Sequence, residues 1–526
     1  MKNLLFLSLF GIPLLISAQD IFNNKEVKAT LELPDKAAIQ SRIKYLADDK
    51  LKGRRASSPE YKVAVDYVVD QFKKLGIAPK GDEGYLQKVI IRTGKTDTTK
   101  TTLFINDTEL EYGTEFVVLP DMNHAATDFT GEIIFVGQGI QAPHLNQDDY
   151  AGINVQGKVV LFLASVPETF PASERAHFTS TALRADFAAS RGAVGAIAIN
   201  TTPRQFMQAR SSAANGIQGI VNKNGRVSAR TGATHPNINF FAMGKDQIFN
   251  QVVKNLKHGD KVGTVSVKSV TTYTQFESYN VIGVIPGSDK ILKNEYVVHT
   301  AHLDHVGIRT KINGDSIYNG AHDNASGVAC ALEIGKLYKH SKLKRSVLIA
   351  LVTGEEMGLM GSAYLATNPP VDKKSIVANL NTDMPTLIAP LLSIEPLGAW
   401  NSSLIKEVSD AARYLNIEIQ EDHVPDQVRF VRSDQYSFIR EGIPALNIKY
   451  GLKASDTSID MKEKIEDWTK NYYHKPSDEY RDDLFDWEAA ETYVKLYYLI
   501  GYQIANSPLR PTWNKGDFFG DFFGGK

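Results

Sequence analysis

Five short polar clusters in the second half of this 526-residue sequence carry side chains able to ligate a metal or move a proton. They are His302-Leu303-Asp304, Asn319-Gly320-Ala321-His322-Asp323-Asn324-Ala325-Ser326-Gly327, Thr353-Gly354-Glu355-Glu356, Thr382-Asp383 and Tyr473-His474. Each alone has an ordinary structural explanation, a satisfied histidine or a helix N-cap. Five of them after successive elements make a site. Two divalent ions about 3.5 to 4 Å apart need one shared carboxylate, terminal His and Asp or Glu ligands, and a bridging water that the ions make acidic. Asp323 is placed to be shared, with His302 and Asp383 on one ion and Glu356 and His474 on the other. Glu355, adjacent to a ligand but not needed as one, can take the proton from the water and pass it to a leaving amine. Asp304 faces the same way as His302 on an extended chain and is placed to orient it. His305 and His322 read as lining residues. The single cysteine, Cys330, reads as a small buried side chain, so the ligands must be nitrogen and oxygen.

The elements that must position these groups are legible in the hydrophobic pattern. Apolar runs at 280–285, 296–301, 346–352, 376–381 and 445–450 read as strands, and 325–338, 358–365 and 402–415 between them as helices. Residues 347–352 are apolar without alternation, as expected of a strand covered by helices on both faces of a largely parallel sheet. In such sheets ligands sit beyond the carboxyl ends of the strands, where the polar clusters fall. Upstream, residues 35–80 read as helical, with Ser58 as cap and Pro59 at the first helical position. Between 101 and 274 the texture changes to short strand-like runs (132–136, 158–163, 194–199) with a helix at 180–191, a separate β-rich module.

The expected fold class is therefore α/β, a mixed, mostly parallel sheet sandwiched by helices, with a β-rich insert. The expected divisions are 1–18, a signal peptide; 19–115, the N-terminal part of the catalytic domain; 116–276, the insert; 277–508, the catalytic domain; and 509–526, an aromatic and glycine-rich tail. That tail, with Phe518, Phe519, Phe522 and Phe523, reads as a strand or plug packed on the body.

Lys plus Arg numbers 59 against 60 for Asp plus Glu, so no overall field draws the chain to nucleic acid. Lys2, the apolar run from Leu4 to Ile16 and the small-residue site at Ser17-Ala18 read as an export signal. That run is too short to span a bilayer, so no stable membrane insertion is expected. The expected location is secreted or periplasmic.

The clusters His302-Leu303-Asp304, Gly320 to Gly327, Glu355-Glu356-Met357-Gly358-Leu359-Met360-Gly361-Ser362, Asn381-Thr382-Asp383-Met384 and Tyr473-His474 resemble the co-catalytic zinc aminopeptidases. That family includes the Streptomyces and Vibrio aminopeptidases, aminopeptidase Y and relatives of glutamate carboxypeptidase. The resemblance covers about residues 280–505 and reaches back to 45–76, and the middle module resembles the inserted protease-associated domain. It implies the zinc exopeptidase fold, two Zn2+ ions per chain, peptide substrates and the ligand roles given above. It also places Arg432, in Arg432-Ser433-Asp434, on the substrate side. It makes Tyr473 a hydrogen-bond donor to the developing oxyanion and the Asp323–Asn324 peptide bond cis. The chain departs from simpler relatives after Asp383, where Met384-Pro385-Thr386 opens an insertion. The leading expectation is an exported di-zinc aminopeptidase, because Glu355 and Asp383 suit an ammonium group better than a second carboxylate. Carboxypeptidase or dipeptidase action uses the same ligands, and glutaminyl cyclase uses a single zinc. A non-enzymatic receptor-like module would have lost the ligands that are intact here.

Overall fold

The structure is a computed structural model that describes residues 21–229, 235–246, 255–456 and 458–525. The expected signal peptide, residues 1–18, lies outside the described residues.

One strand, Lys261–Ile285, runs through both halves of the molecule. It is rich in Val, Thr and Tyr, the residues that suit an extended, half-buried backbone. Residues 261–270 pair antiparallel with Ala126–Phe135, and 265–268 also with Thr102–Ile105. From Thr271 onward the partner becomes Leu86–Thr96, and Val281 to Ile285 pair antiparallel with Ser346–Val352.

The larger sheet continues from Ser346–Val352 through Tyr296–His302, Ile376–Asn381 and Ala445–Tyr450, all mutually parallel. Ser393–Leu397 follows, antiparallel to Ala445–Tyr450, and the short strand Glu418–Ile419, parallel to Ser393–Leu397, closes that side. Along Ser346–Val352, Val347, Ile349 and Leu351 join one hydrophobic core while Leu348, Ala350 and Val352 join the other. That two-sided burial is why the run shows no alternation in sequence. Helices Lys36–Leu46, Pro59–Lys74, Gly327–Lys339 and Trp487–Asn506 cover the first face, and Met360–Thr367 and Gln435–Ile439 the second. Ser58 caps Pro59–Lys74 by accepting from the Tyr61 N–H, as the sequence predicts.

The insert has its own sheet. Ala126–Phe135, Val159–Leu163, Gly195–Asn200 and Phe241–Lys245 are parallel, and Phe116–Leu119 pairs antiparallel at one edge. Its limits differ from the expected 116–276. Thr102–Ile105 already belongs to the insert sheet, and Ile217–Val221 returns to pair with Leu86–Thr96 of the larger one. Both are short strands recruited by partners distant in sequence, which local patterning does not reveal.

The aromatic tail is a helical plug rather than a strand. Phe518–Phe523 is capped by Asp517 and buries Phe518, Phe519 and Phe523. Phe518 stacks on His144 and lies near Phe178 of the insert, while Phe519 meets Phe430 of the half built on the larger sheet edge-on. Among the described residues no helix is long and apolar enough to cross a membrane.

Candidate metal centre

Three parallel strands deliver the site at their carboxyl ends. Tyr296–His302 ends on His302, Ser346–Val352 turns at Gly354 into Glu355 and Glu356, and Ile376–Asn381 leads into Asp383. Gly354 has φ +64°, and a Cβ there would come within 3.0 Å of the Met360 Cβ, so the turn that aims the two glutamates requires glycine. Asp323 lies in the loop before Gly327–Lys339, and the Asp323–Asn324 peptide bond is cis. His474 follows helix Met461–Asn471.

All five expected ligands converge, in two groups that share Asp323. His302 Nε2 is 3.2 Å from Asp323 Oδ1 and 3.3 Å from Asp383 Oδ1. His474 Nε2 is 3.2 Å from Asp323 Oδ2 and 3.1 Å from Glu356 Oε2. Each oxygen of Asp323 thus serves a different group. His305 departs from its reading as a lining residue: its Nδ1 stands 2.8 Å from Glu356 Oε1 and 3.8 Å from Asp323 Oδ2, inside the second group. His322 points away, stacked on Phe485 with Nε2 against the Leu484 carbonyl.

The electrostatics follow from burying opposite charges together. Burial alone would lower the His302 pKa, but Asp323 and Asp383 override it and raise it well above normal. His474 rises to about 10 because Asp323 and Glu356 outweigh burial. Against the same burial, the histidines hold Asp323 well below the usual carboxylate range and Glu356 at about 2. Glu355 behaves oppositely: burial, with repulsion from Glu356, Asp434 and Asp383 against the pull of His302, raises it well above normal.

Asp304 orients His302, but not through its carboxylate. His302 Nδ1 pairs with the Asp304 main-chain oxygen at 3.0 Å, while Asp304 Oδ1 accepts the Glu355 N–H at 3.1 Å. The strand ends at His302, and beyond it the carboxylate reaches the glutamate loop instead. Burial raises its pKa to about 7.

Tyr473 lies on His474, ring centroids 4.0 Å apart, and lines a cavity of about 410 Å3 together with His302, Asp323, Glu355 and Asp383. Arg432 lines the same cavity, exposed, with no ion pair among the described residues. Its near neighbours do not claim it, since Glu441 binds Lys373 and Asp434 forms no ion pair with it.

Two residues absent from the sequence reading hold the loops. Asp478 accepts the N–H groups of His322 and Asp323 at 2.9 and 3.0 Å, fixing the main chain at Asp323 from behind. Fully buried Arg54 donates to the carbonyls of Leu46, Leu303, Asn319 and Gly320, tying the N-terminal helices to the loops that carry His302 and Asp323. A polar residue four positions after His474, and an arginine in Gly53-Arg54-Arg55 between two helices, were the available signals.

Residues 280–499 match the family model described as Peptidase family M28. A probable zinc metalloprotease of Leptosphaeria maculans is 25% identical over 197 residues, 35% of this chain and 45% of that protein. A probable leucine aminopeptidase of Arthroderma otae is 29% identical over 209 residues, 38% of this chain and 52% of that protein. The chain thus spans about half the length of these curated relatives. Among solved structures, the aminopeptidase from Aneurinibacillus sp. strain AM-1 aligns with a TM-score of 0.49 and 21% identity, covering 91% of this chain and 96% of that one.

Proposed function

We propose, from the premise that residues 280–499 form a Peptidase family M28 domain, that the chain is an exported di-zinc exopeptidase that removes N-terminal residues from peptides. The observation that carries this is the division of Asp323, one carboxylate oxygen in each donor group, with Glu355 on the wall of the adjoining cavity. Imidazole nitrogens and carboxylate oxygens without thiolate suit zinc. His474 Nε2 and Glu356 Oε1 are buried and have no hydrogen-bond partner of acceptable geometry despite their close neighbours, as expected of atoms whose natural partner is a cation. His302 and Asp383 would hold one ion, Glu356 and His474 the other, and Asp323 both. Bound there, the ions would act as Lewis acids on the scissile carbonyl and lower the pKa of the attacking water.

The chain's own residues supply the rest. Glu355, with its proton affinity raised by burial and by neighbouring carboxylates, is suited to take a proton at its carboxylate and give it to the leaving amine. Tyr473 is kept a neutral phenol by burial and can donate to the carbonyl oxygen as charge develops there. Arg432 offers a guanidinium to the substrate. Asp304, Arg54 and Asp478 hold the loops so that the ligands need little rearrangement. Export is supported by Lys2 and the apolar run that follows.

The test is one tetrapeptide in free, N-acetylated and C-amidated forms, with metal analysis of the saturated protein. Loss of cleavage on acetylation, tolerance of amidation and two zinc ions per chain are expected. Loss on amidation alone would make Arg432 a carboxylate anchor and the enzyme a carboxypeptidase. One zinc at saturation would favour the cyclase chemistry.

A further inference from the structure

The cavity beside the two donor groups has cations on its wall as well as carboxylates: Arg429, Arg432, Lys449 and Lys470. Arg429 is already neutralised by Glu395 and Asp422. Lys470 and Arg432 are exposed and solvated. Lys449, near the end of Ala445–Tyr450, differs: its side chain is 17% exposed, and Nζ donates at 2.6 Å to the main-chain oxygen of Asp383. The nearest carboxylate oxygen, Asp383 Oδ2, is 3.9 Å away, beyond hydrogen-bond reach. An ammonium has three donors, so one bond to a neutral carbonyl leaves two, and a largely buried cation without a bonded anion is costly.

A second group points to the same ligand independently. Asn447 is two residues earlier on the strand and therefore on the same side as Lys449. It is fully buried and lines the cavity, and neither atom of its amide has a hydrogen-bond partner. A buried, unpartnered amide N–H beside an ammonium is the donor pair that a carboxylate accepts. In the exopeptidase reading, Asp383 stands beside the α-amine of the substrate. The part of the peptide within reach of Lys449 is then the side chain of the residue that carries that amine.

We propose that Asn447 and Lys449 select peptides whose N-terminal residue is Asp or Glu. The inference rests on the exopeptidase reading and adds a substrate class to it.

Glutamate and glutamine differ in charge but hardly in shape, so the full zinc-loaded chain is assayed on Glu-Ala-Ala-amide, Gln-Ala-Ala-amide and Leu-Ala-Ala-amide. Amidation removes the terminal α-carboxylate as a competing source of the anion. The expected kcat/KM is about tenfold or more higher for the Glu than for the Gln peptide, the scale of one hydrogen bond to a charged group. Calorimetry on the same protein should show free glutamate binding more tightly than free glutamine. Lys449→Met should bring the Glu to Gln ratio to about one, and Asn447→Ala should lower it as well. A ratio of one or less in the unmodified chain, or an unchanged ratio in folded Lys449→Met, overturns the inference. If Lys449→Met does not fold, the unmodified chain and Asn447→Ala still decide. Cleavage of the Leu and Gln peptides without preference for Glu defeats the specificity alone, whereas no cleavage of any free-amine peptide defeats the exopeptidase reading itself.

Discussion

At the scale of single residues, neighbouring carboxylates are driven to opposite behaviour by what faces them. Glu356 meets two histidines and is held ionised, whereas Glu355 is held toward its protonated form by burial, with repulsion from Glu356, Asp434 and Asp383 added to it. Glu355→Gln should therefore keep its zinc and its fold while losing roughly 10²-fold or more of turnover. Glu356→Gln should instead lower zinc content, and dialysis followed by metal analysis separates the two. A pH effect follows from His474, whose pKa rises from 6.5 to about 10 in the metal-free site. A raised folded pKa contributes stability that is fully present below about 6.5 and lost as pH climbs through about 10. The metal-free protein should lose thermal stability over that window while zinc binds more tightly across it, because the ligand must shed its proton first. Melting curves in chelator and zinc titrations at several pH values check both halves. The five donors were legible because each follows a patterned element and has a side chain that does chemistry. Lys449 and Asn447 lie inside an apolar strand, where nothing local separates a cavity wall from a core position. Asp304 was legible as a neighbour of His302, but its orientation was not, since where a side chain points beyond the end of a strand is a tertiary outcome.

At the scale of elements, the parallel strands and their helices were readable because burial on both faces leaves continuous apolar runs. The ties between loops were not readable, because they run from side chain to main chain across long sequence separations. Arg54 is the clearest case, with its guanidinium gathering carbonyls from both the N-terminal helices and the metal-site loops. Arg54→Met should cost about 3 kcal/mol or more, since it strands buried acceptors and removes a cation from among Asp304, Asp323 and Asp478. Urea unfolding measures it. Asp478→Asn should be milder for the fold but should weaken zinc binding, because the N–H groups of His322 and Asp323 are accepted by different carboxylate oxygens, and in asparagine one of those two positions becomes an NH2 donor facing an N–H. Equal zinc affinity in that variant would show that Asp323 is fixed by other contacts.

At the scale of the whole molecule, the insert and the half built on the larger sheet are joined by the aromatic tail, by the long strand and by the return of Ile217–Val221 to Leu86–Thr96. The tail helix is wedged between His144 and Phe178 on one side and Phe430 on the other, and Trp513 Nε1 donates to the Gly442 carbonyl at 2.8 Å. Phe518→Ala should destabilise the protein by about 3 to 5 kcal/mol, and calorimetry should show the unfolding of the two parts becoming less cooperative. The strand Lys261–Ile285 has a subtler consequence. Side chains on a strand alternate faces, and here a single alternation serves two interiors, changing partners between Val270 and Thr271. The two halves are therefore bound by parity. One residue inserted at that junction would invert the insert half relative to the other, turning Val265 and Val267 toward the face where Thr264 and Lys268 are now exposed. Two residues would restore the phase and merely lengthen the strut by about 7 Å. The longer insertion should therefore be the better tolerated of the two, an inversion of the usual expectation that soluble yield of the two variants would reveal.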